Sequence, residues 1–551
     1  MDRLKADQAP NHKTSRRAEF TPKLLTVLAE GYGAKAFGAD MMAGLTVAIV
    51  ALPLSMAIAI ASGTTPERGL YTAIIGGFLI SLLGGSRFQI GGPAGAFIVL
   101  VAATVSQHGL SGMLTATFLA GLILLALGAL RLGTYIKFIP YPVTVGFTAG
   151  IALIIFSSQI KDLLGLTLTG PDPAELVAKY ESLGAALGSF NAAAFGLAVL
   201  TIAVIVGLKR WRPTWPGMLI AVVLAGGLAL LVGLPVETIG TRFGGVPSSL
   251  PQPMLPDLSL PSVFAVLPNA ISFALLGAIE SLLSAVVADG MTGRRHRSNL
   301  ELLAQGVANM AAALFGGVPA TGTIARTATN VRAGSRGPIS GLLHAVFILA
   351  FMVLAAPLMS YIPLAALAGV LAVVSWNMVE KHAVVLLARS LNGDTLVLAA
   401  TFLLTVLKDL TYGIVVGFAL AALLFIGRMA KSAGVESDDD EEVREQDPDV
   451  VVYRLSGAFF FGAAGTVSAV LDRINSGHSG LVIDVSRVSL LDSSAANALV
   501  GVAQGAEKRG VRFALSGAGA PLRAELEAHG LGRTRTIFAP DSAAAVLALK
   551  A

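Results

Sequence analysis

The sequence contains little charge for its length. Of the 551 residues, 39 are Lys or Arg and 34 are Asp or Glu, so charged side chains make up 13%, about half of their share in an average soluble domain. Hydrophobic residues make up 54%. Such a chain cannot cover a soluble domain of this size with polar surface, and it is too apolar for a disordered protein. A soluble enzyme is therefore excluded as the main interpretation.

Further absences in the sequence exclude several kinds of catalytic and metal-binding site. Cysteine is absent, which excludes disulfide bonds, thiolate metal ligands and a thiol nucleophile. The 7 histidines lack the spacing of metal ligands, and there is no Gly-Lys dipeptide for a phosphate-binding loop. We expect no metal, no cofactor, no nucleic-acid partner and no enzymatic activity. Any uphill transport would then have to be driven by an ion gradient.

What the chain does contain is a series of apolar segments between Met41 and about Met429. Each is long enough, or nearly long enough, to cross about 30 Å of hydrocarbon. They predict an α-helical polytopic membrane protein with about fourteen spans in contact with membrane lipids. The segments lie near 41–61, 68–84, 93–106, 111–130, 142–160, 192–208, 215–234, 262–288, 299–316, 320–333, 338–359, 363–378, 393–409 and 411–428.

Positive charge predicts the orientation. Lys and Arg cluster in alternate loops, for example at 209–212 and 294–297, and such loops are retained in the cytoplasm. The polar, basic residues 1–40 do not have the pattern of a secretory signal peptide. We therefore predict a multi-pass protein of the cell (inner) membrane, with a cytoplasmic N-terminal segment (1–40), a transmembrane domain (41–430) and a cytoplasmic C-terminus.

The composition changes abruptly after the last span. From Glu436 to Asp449, nine of fourteen residues are acidic, which is typical of a solvated linker, placed here at 431–449. Residues 450–551 alternate β-rich and helical stretches and predict a small α/β domain. The expected elements are strands at 450–461, 481–485 and 511–515 and helices at 495–507 and 521–528.

Two short motifs interrupt the apolar pattern in a similar way. Residues 91–96 (Gly-Gly-Pro-Ala-Gly-Ala) open the third span and residues 317–322 (Gly-Val-Pro-Ala-Thr-Gly) open the tenth, at an offset of 226 residues that also relates Ser55 to Ser281. Proline fits the first turn of a helix. Paired interruptions of this kind indicate a transporter site at the bilayer midplane, where the N-termini of two half-helices attract an anion. The alternative is that both motifs only kink their spans.

Two charged residues lie inside predicted spans next to these motifs. An ionised carboxylate such as Glu280 costs about 2.5–3.5 kcal/mol inside a span, so it must be paired, hydrated or protonated. Burial would favour its protonated form and make it a candidate proton carrier. Arg326 could complement an anionic solute or neutralise Glu280. A buried Glu280–Arg326 ion pair that only locks two helices together is an equally weighted alternative.

These motifs resemble the sulfate permease (SulP) family of anion transporters, and the resemblance extends from Met41 to the C-terminus. The tail resembles the STAS domain of anti-sigma-factor antagonists, with 491–495 matching its loop-to-helix motif. Ser493 matches a position that is phosphorylated in some soluble relatives, although the same residues fit an ordinary helix N-cap. The stretches that carry the membrane resemblance are 52–57 (Leu-Pro-Leu-Ser-Met-Ala), 84–93, 146–150 (Gly-Phe-Thr-Ala-Gly), 277–281 (Gly-Ala-Ile-Glu-Ser), 325–326 and 330–334.

The resemblance implies a seven-plus-seven inverted repeat. A core domain (spans 1–4 and 8–11) would carry the solute past a gate domain (spans 5–7 and 12–14) in an elevator-like motion, within a homodimer to which the STAS domains contribute. The binding site would lie between spans 1, 3, 8 and 10. Candidate substrate-binding residues are Leu54, Ser55, Ala94, Gly95, Ala96, Phe97, Thr321, Gly322, Thr323, Ala325 and Arg326; candidate coupling residues are Glu280, Ser281 and Ser284.

The resemblance also suggests a substrate. Many sulfate-type members have Gln where this chain has Leu54, whereas residues 277–293 look most like the bacterial branch that imports C4-dicarboxylates (fumarate, succinate or aspartate) with protons. The sodium-coupled bicarbonate branch has Asp and Thr at the positions of Glu280 and Ser284. The leading hypothesis is therefore proton-coupled symport of C4-dicarboxylates. The alternatives are a carrier of an inorganic anion (bicarbonate with sodium, sulfate or chloride), an anion channel, or a receptor that signals through the STAS domain.

Overall fold

The computed structural model describes residues 19–136, 140–170, 172–173, 175–213, 215–408, 410–432, 434–437, 449–460, 479–531 and 534–550. The chain divides into two units, one extending through Phe418 and the other beginning at Ala419. Each unit has its own hydrophobic core. Most of the predicted acidic linker lies outside the described residues.

The first half of the membrane unit is a succession of helices with one short strand. A π-helical turn at Thr72–Gly76 separates two helices of the second span, and a 3₁₀ turn at Gly95–Phe97 follows the strand. The elements are α1 (Lys23–Ala29), α2 (Ala34–Ala61), α3 (Pro66–Tyr71), α4 (Gly77–Leu83), β1 (Gly91–Pro93), α5 (Ile98–Ala129), α6 (Gly133–Ile136), α7 (Tyr141–Leu164), α8 (Leu176–Ala185), α9 (Ala192–Trp211), α10 (Gly217–Val232) and α11 (Ile239–Phe243).

The second half repeats this plan, again with a short strand before a half-helix. Its elements are α12 (Leu260–Thr292), α13 (Ser298–Leu314), β2 (Ala320–Gly322), α14 (Ile324–Arg332), α15 (Ile339–Met359), α16 (Leu364–Met378), α17 (Lys381–Ser390), α18 (Gly393–Leu407) and α19 (Leu410–Ser432).

Every predicted span falls on helical structure, and eight helical stretches among the described residues are long and apolar enough to cross a membrane. The predicted third and fourth spans correspond to the two helical parts of α5, which are separated by a sharp break at Gly109 (φ 68°, ψ −173°). Gly109 allows the break because glycine tolerates a positive φ. The tenth span is shorter than predicted, since α14 has only 9 helical residues and the chain before it is extended.

The membrane helices pack as two groups. In the first group, α2 packs against α15, and α5 packs against α12 and α13; in the second, α7 packs against α16 and α18, and α9 packs against α10 and α16. These groups correspond to the predicted core domain (α2–α5 and α12–α15) and gate domain (α7–α10, α16–α18 and the part of α19 that ends at Phe418). The predicted fold class, a polytopic helical protein with a core, a gate and a small α/β domain, is confirmed.

The described residues of the second unit form a five-stranded sheet with the order β3-β4-β5-β6-β7, and among these strands only the β3–β4 pair is antiparallel. The predicted strands and helices of this region are present. The sequence did not predict β3, β7 and the last helix. The elements are β3 (Gly434–Ser437), β4 (Val450–Phe459), β5 (Gly480–Leu491), α20 (Ser493–Lys508), β6 (Arg512–Ser516), α21 (Ala520–Ala528), β7 (Ile537–Ala539) and α22 (Ser542–Lys550).

Candidate functional site

The two interrupted motifs meet in the interior of the core domain. β1 and β2 form an antiparallel pair in which Gly91 faces Gly322, Gly92 faces Thr321 and Pro93 faces Ala320. Each strand leads into a helix, so two helix N-termini start beside one small buried sheet. This is the arrangement of discontinuous spans that the sequence predicted, and it is typical of transporter binding sites.

The alignment of the two halves differs in detail from the prediction. The strand that begins at Gly91 pairs with one that begins at Ala320, three positions later than the predicted equivalent Gly317. The predicted offset is therefore wrong by three, and the corrected one relates Ser55 to Ser284 instead of Ser281. The prolines are also placed differently: Pro93 ends β1 and Pro319 precedes β2, so neither lies in the first turn of a helix. A residue without an N–H group is tolerated at the end of a two-stranded ladder.

The first turns after the two strands have no side-chain caps. Ala94 precedes the 3₁₀ turn and Thr323 precedes α14, and neither side chain accepts a hydrogen bond from its helix start in this described region. The Thr323 hydroxyl lies instead near the Ile90 carbonyl oxygen (3.4 Å). The first N–H groups of a helix lack intrahelical acceptors and carry the positive end of its dipole. These two helix starts can therefore attract an anion.

Arg326 lies in the first turn of α14 with only 2% of its surface exposed. Its Nη2 atom donates to Ser55 Oγ on α2 (3.2 Å), and Ser55 Oγ donates to the Ala51 carbonyl (2.7 Å). Gly92, with φ 154°, leaves space for the guanidinium, since a Cβ atom there would lie 2.2 Å from Nη1. Nε and Nη1 have no hydrogen-bond partner among the described residues. Two buried cationic donors thus remain available to an acceptor that enters the site.

Glu280 on α12 is half-buried, and its buried Oε2 atom has no hydrogen-bond partner in the described part of the chain. The charges of Glu280 and Arg326 are near enough to influence one another. Within the described residues they nevertheless form no ion pair. The alternative of a Glu280–Arg326 ion pair that only locks two helices is therefore not formed in this structure, and the roles of both side chains in binding stay predictions.

The two candidate serines on α12 form hydrogen bonds with residues that the sequence did not single out. Gln89 Nε2 donates to Ser281 Oγ (2.7 Å), and Ser284 Oγ donates to Thr327 Oγ1 (3.0 Å). Thr327 Oγ1 also accepts from the Ile90 N–H (3.1 Å). Gln89 and Thr327 therefore connect α12 to both interrupted spans. A polar Gln next to the first Gly-rich motif was the only signal in the sequence that could have identified one of them.

His344 on α15 is a further buried polar residue beside the crossing strands. It is fully buried, and neither ring nitrogen has a partner among the described residues. A Cβ atom on Gly77 would lie 3.9 Å from His344 Nδ1 and 2.9 Å from the Gly91 carbonyl oxygen, so the imidazole borders β1 from the side of α4. A single histidine in an apolar span carries no sequence signal for such a position.

The remaining candidate binding residues differ in how deeply they are buried around the β1–β2 strand pair. Gly95 is half-buried and lies at the boundary with the gate, since a Cβ there would be 3.4 Å from Ile155 on α7 and 3.7 Å from Met378 on α16. Phe97 packs edge-to-face against Phe273, with ring centroids 5.9 Å apart. Ala325 is exposed, and its role in binding stays a prediction. The buried candidates are Leu54, Ser55, Ala94, Ala96, Phe97, Thr321, Gly322, Thr323 and Arg326.

In the α/β unit, the candidate phosphosite Ser493 is the first residue of α20 and is exposed. The N-cap is the preceding residue, Asp492, whose Oδ1 accepts from the Ala495 N–H (2.9 Å). Ser493 is therefore not the cap, and its phosphorylation stays a prediction. No cluster of three or more His, Asp or Glu side chains able to hold a metal ion occurs among the residues described.

Two half-helices that start at a buried strand pair, one of them carrying a buried arginine with two unpartnered nitrogens, are typical of a membrane transporter for an anionic solute. The chain belongs to the sulfate permease family, whose model matches residues 37–401, and the STAS domain model matches residues 443–543. The predicted family and its C-terminal STAS domain are thus confirmed. The protein is a multi-pass membrane anion transporter.

Named relatives cover most of the chain. The sequence is 42% identical to the putative sulfate transporter YvdB of Bacillus subtilis over 85% of this chain and 88% of that protein. It is 30% identical to the bicarbonate transporter BicA of a Picosynechococcus species over 89% of this chain and 90% of that protein. These names favour the predicted inorganic-anion alternative over the C4-dicarboxylate hypothesis, which they do not support.

A solved structure has the same fold. The murine solute carrier 26 family member A9 anion transporter, determined in an inward-facing state, superimposes with a TM-score of 0.84 and covers 100% of this chain and 97% of its own, at 19% identity. At that identity the likeness concerns the fold alone.

Proposed function

We propose that this protein is a secondary transporter of a small inorganic oxyanion, sulfate or bicarbonate, held between the starts of α5 and α14. The observation that carries the proposal is the buried Arg326, with two unpartnered nitrogens beside two uncapped helix starts. A guanidinium presents its donors in a planar fork that matches an oxyanion. The relatives named for sulfate and bicarbonate support the same class of substrate.

The coupling cation is assigned to Glu280. Its unpartnered Oε2 atom and the neighbouring hydroxyl of Ser281 offer oxygen ligands on the same helix. A carboxyl group in this position can take up a proton or bind sodium, and either would offset negative charge brought in by the substrate. We retain the proton as the first choice and sodium as the alternative.

The transport step is a movement of the core domain past the gate. Gly95, at the start of the first half-helix, faces Ile155 and Met378 of the gate. A solute bound there would be covered by apolar gate side chains until the core moves. An inner-membrane location, cytoplasmic termini and a homodimer complete the proposal, supported by the distribution of Lys and Arg and by the family resemblance.

Uptake into proteoliposomes tests the substrate site. Labelled sulfate and labelled bicarbonate are supplied separately, with fumarate and succinate as competitors. Arg326→Gln should lower uptake by about 100-fold, because a lost charged hydrogen bond of about 3 kcal/mol corresponds to two decades. The matched control, Arg332→Gln at the other end of α14, should retain wild-type uptake. Equal uptake by the two variants, or competition by the dicarboxylates alone, would contradict the proposal.

A second arm tests the coupling ion. Wild-type uptake should accelerate under an inward proton gradient, and Glu280→Gln should abolish that acceleration, because the amide cannot carry a proton. The exposed Glu181→Gln serves as the matched control. Acceleration by a sodium gradient would identify the alternative ion, and full acceleration in Glu280→Gln would refute the assignment of Glu280.

A further inference from the structure

All three tryptophans of the chain lie at one end of the gate domain. Trp211 is the last residue of α9, Trp376 lies in the last turn of α16, and Trp215 precedes α10. Their exposed fractions are 87%, 67% and 58% respectively. We call these three residues the tryptophan patch. Such exposure is unusual for the largest apolar side chain unless another phase covers it.

The two helices that carry Trp211 and Trp376, α9 and α16, run in the same direction. A Cβ atom on Gly369 of α16 would lie 3.1 Å from the Ala198 carbonyl and 3.2 Å from Thr201 Cβ, both on α9. Further along both helices, Lys209 Nζ donates to Asn377 Oδ1 (3.2 Å). Because contacts advance along both helices together, Trp211 and Trp376 reach the same end of the domain.

Four cations surround these tryptophans. Lys209, Arg210 and Arg212 flank Trp211 and are exposed, and Lys381 Nζ lies 3.9 Å from the centre of the Trp376 ring. No ion pair neutralises any of the four within the described residues. The carboxylate of Glu380, next in sequence to Lys381, accepts a hydrogen bond from the Tyr141 hydroxyl (2.9 Å).

We propose that this surface is a binding site for anionic phospholipid headgroups, which anchors the gate domain at one membrane–water interface. Tryptophan prefers that interface because its ring is apolar and its N–H can remain hydrated. Arg210 and Arg212 supply planar forks for the phosphate group, and basic residues near an anionic surface contribute about 1 kcal/mol each. Acyl chains would cover the exposed rings, and the headgroups would satisfy the unpaired cations.

Binding at this place also has a mechanical consequence. The patch lies on α9, on α16 and just before α10, all of which belong to the gate, and none of its members lies on the core helices that surround Arg326. Lipids bound there would hold the gate at a fixed depth while the core moves. The lipid site itself does not depend on the identity of the transported anion, so it can be tested without measuring transport.

The distribution of tryptophan makes the test direct. Because all three tryptophans belong to the patch, the intrinsic tryptophan fluorescence of the full-length protein reports on this surface alone. The protein is reconstituted in phosphatidylcholine bilayers that contain equal mole fractions of either brominated phosphatidylglycerol or brominated phosphatidylcholine. Bromine quenches tryptophan only at short range, so the ratio of the two quenching efficiencies measures the headgroup preference.

We expect phosphatidylglycerol to be preferred by at least about fivefold, the factor that corresponds to about 1 kcal/mol. Raising the salt concentration should reduce the preference, because exposed charges are screened. The double variant Arg210→Gln/Arg212→Gln should bring the ratio close to one. The matched control, Arg294→Gln/Arg295→Gln, removes two exposed arginines from the loop after α12 and should leave the preference unchanged.

Three outcomes would overturn the proposal. Equal quenching by the two brominated lipids would show that the tryptophans contact lipid without selecting a headgroup. An unchanged quenching ratio in Arg210→Gln/Arg212→Gln would show that these two arginines do not select the headgroup. Equal losses in the test and control variants would mean that overall charge, and not this surface, attracts the lipid. A normal melting temperature of each variant confirms that its fold is intact.

Discussion

The two units of the molecule differ in whether their buried polar side chains have hydrogen-bond partners. In the α/β unit, Asp484 is only 5% exposed and is fully engaged: it accepts from Arg454 Nε and from the Ser486 N–H, both at 2.9 Å. In the membrane unit, Arg326, His344 and Glu280 all keep buried atoms without partners among the described residues.

The difference indicates which part of the chain is arranged to bind a ligand. Leaving a buried polar atom unpaired costs about 1–3 kcal/mol, so such atoms are rare unless a ligand or a functional state uses them. Within the described residues all of them lie in the membrane unit, and all except the hydroxyls of Thr401 and Thr405 lie on core helices or, for Gln89, in the connection before β1. Unpaired buried polar atoms near the β1–β2 strand pair are what the proposed anion site would require, because real proteins depart from full polar pairing at functional sites.

The largest effect should follow from filling the space beside Arg326. Gly92→Ala places a methyl group 2.2 Å from Arg326 Nη1 at a φ of 154°, a backbone conformation that L residues rarely adopt. Overpacking of this kind costs about 1–3 kcal/mol, and if that cost falls on the binding-competent position of Arg326, anion uptake should fall by about 5-fold to 150-fold. Gly196→Ala in gate helix α9, where a Cβ would have no neighbour within 4 Å, should have no such effect. Similar uptake by the two variants would contradict the proposal that the anion binds beside Arg326 and the β1–β2 strand pair.

Replacing His344 should separate stability from function. In His344→Leu an apolar side chain of similar size replaces a buried imidazole without partners. We expect the purified protein to gain about 1–2 kcal/mol of stability, because an unpaired polar group disappears from the interior. Uptake should fall at the same time if the imidazole serves the site. The exposed His382→Leu on α17 is the control, and a lower melting temperature for His344→Leu than for His382→Leu would indicate partners that the structure does not contain.

The sequence predicted what depends on local pattern. Apolar runs located the spans, and the two Gly- and Pro-containing motifs located the half-helices, because both signals are contained in a few consecutive residues. Glu280 and Arg326 were found because a charge inside an apolar run is conspicuous. Three of the five described strands of the α/β unit, β4, β5 and β6, were predicted from short β-rich runs, whereas β3 and β7 were not.

The contacts that complete the site were not predictable in this way. Gln89 meets Ser281, and Ile90 meets Thr327, across roughly two hundred residues of intervening chain. Such pairs are set by how the two repeats cross, and no local pattern encodes them. The three-residue error in the repeat offset has the same origin, since matching prolines suggested one alignment while strand pairing selected another.

A smaller effect is expected at Lys23, which lies on α1, outside the spans. It is half-buried, and burial together with the neighbouring charges of Arg297 and Arg87 lowers its pKa to about 8. A lysine whose folded pKa is lowered destabilises the fold below that pKa, and the penalty fades as the pH rises from about 8 to about 10. The full shift would be worth about 3 kcal/mol, and screening by solvent should reduce it to about 1–2 kcal/mol.

Lys23→Met should accordingly be more stable than wild type near about pH 7, and the difference should shrink as the pH approaches about 10, where the unfolded lysine also loses its proton. Melting temperatures of the full-length protein across this range provide the measurement. The exposed Lys35→Met is the control and should show no pH-dependent gain. A gain for Lys23→Met that stays constant with pH would point to hydrophobic packing instead of charge.

The smallest effect concerns the start of α20, where the α/β unit satisfies its backbone with a side chain while the two half-helices of the membrane unit do not. Asp492→Ala removes the Oδ1 acceptor of the Ala495 N–H (2.9 Å) and should cost about 1 kcal/mol, the usual value of an N-cap. Ser493→Ala, one residue later and exposed, should cost much less, because it removes no cap. Chemical unfolding of the α/β unit within the full-length protein measures both. If Ser493→Ala lowers the free energy of unfolding more than Asp492→Ala does, the N-cap has been assigned to the wrong residue. The start of α20 would then no longer support the contrast between the two units.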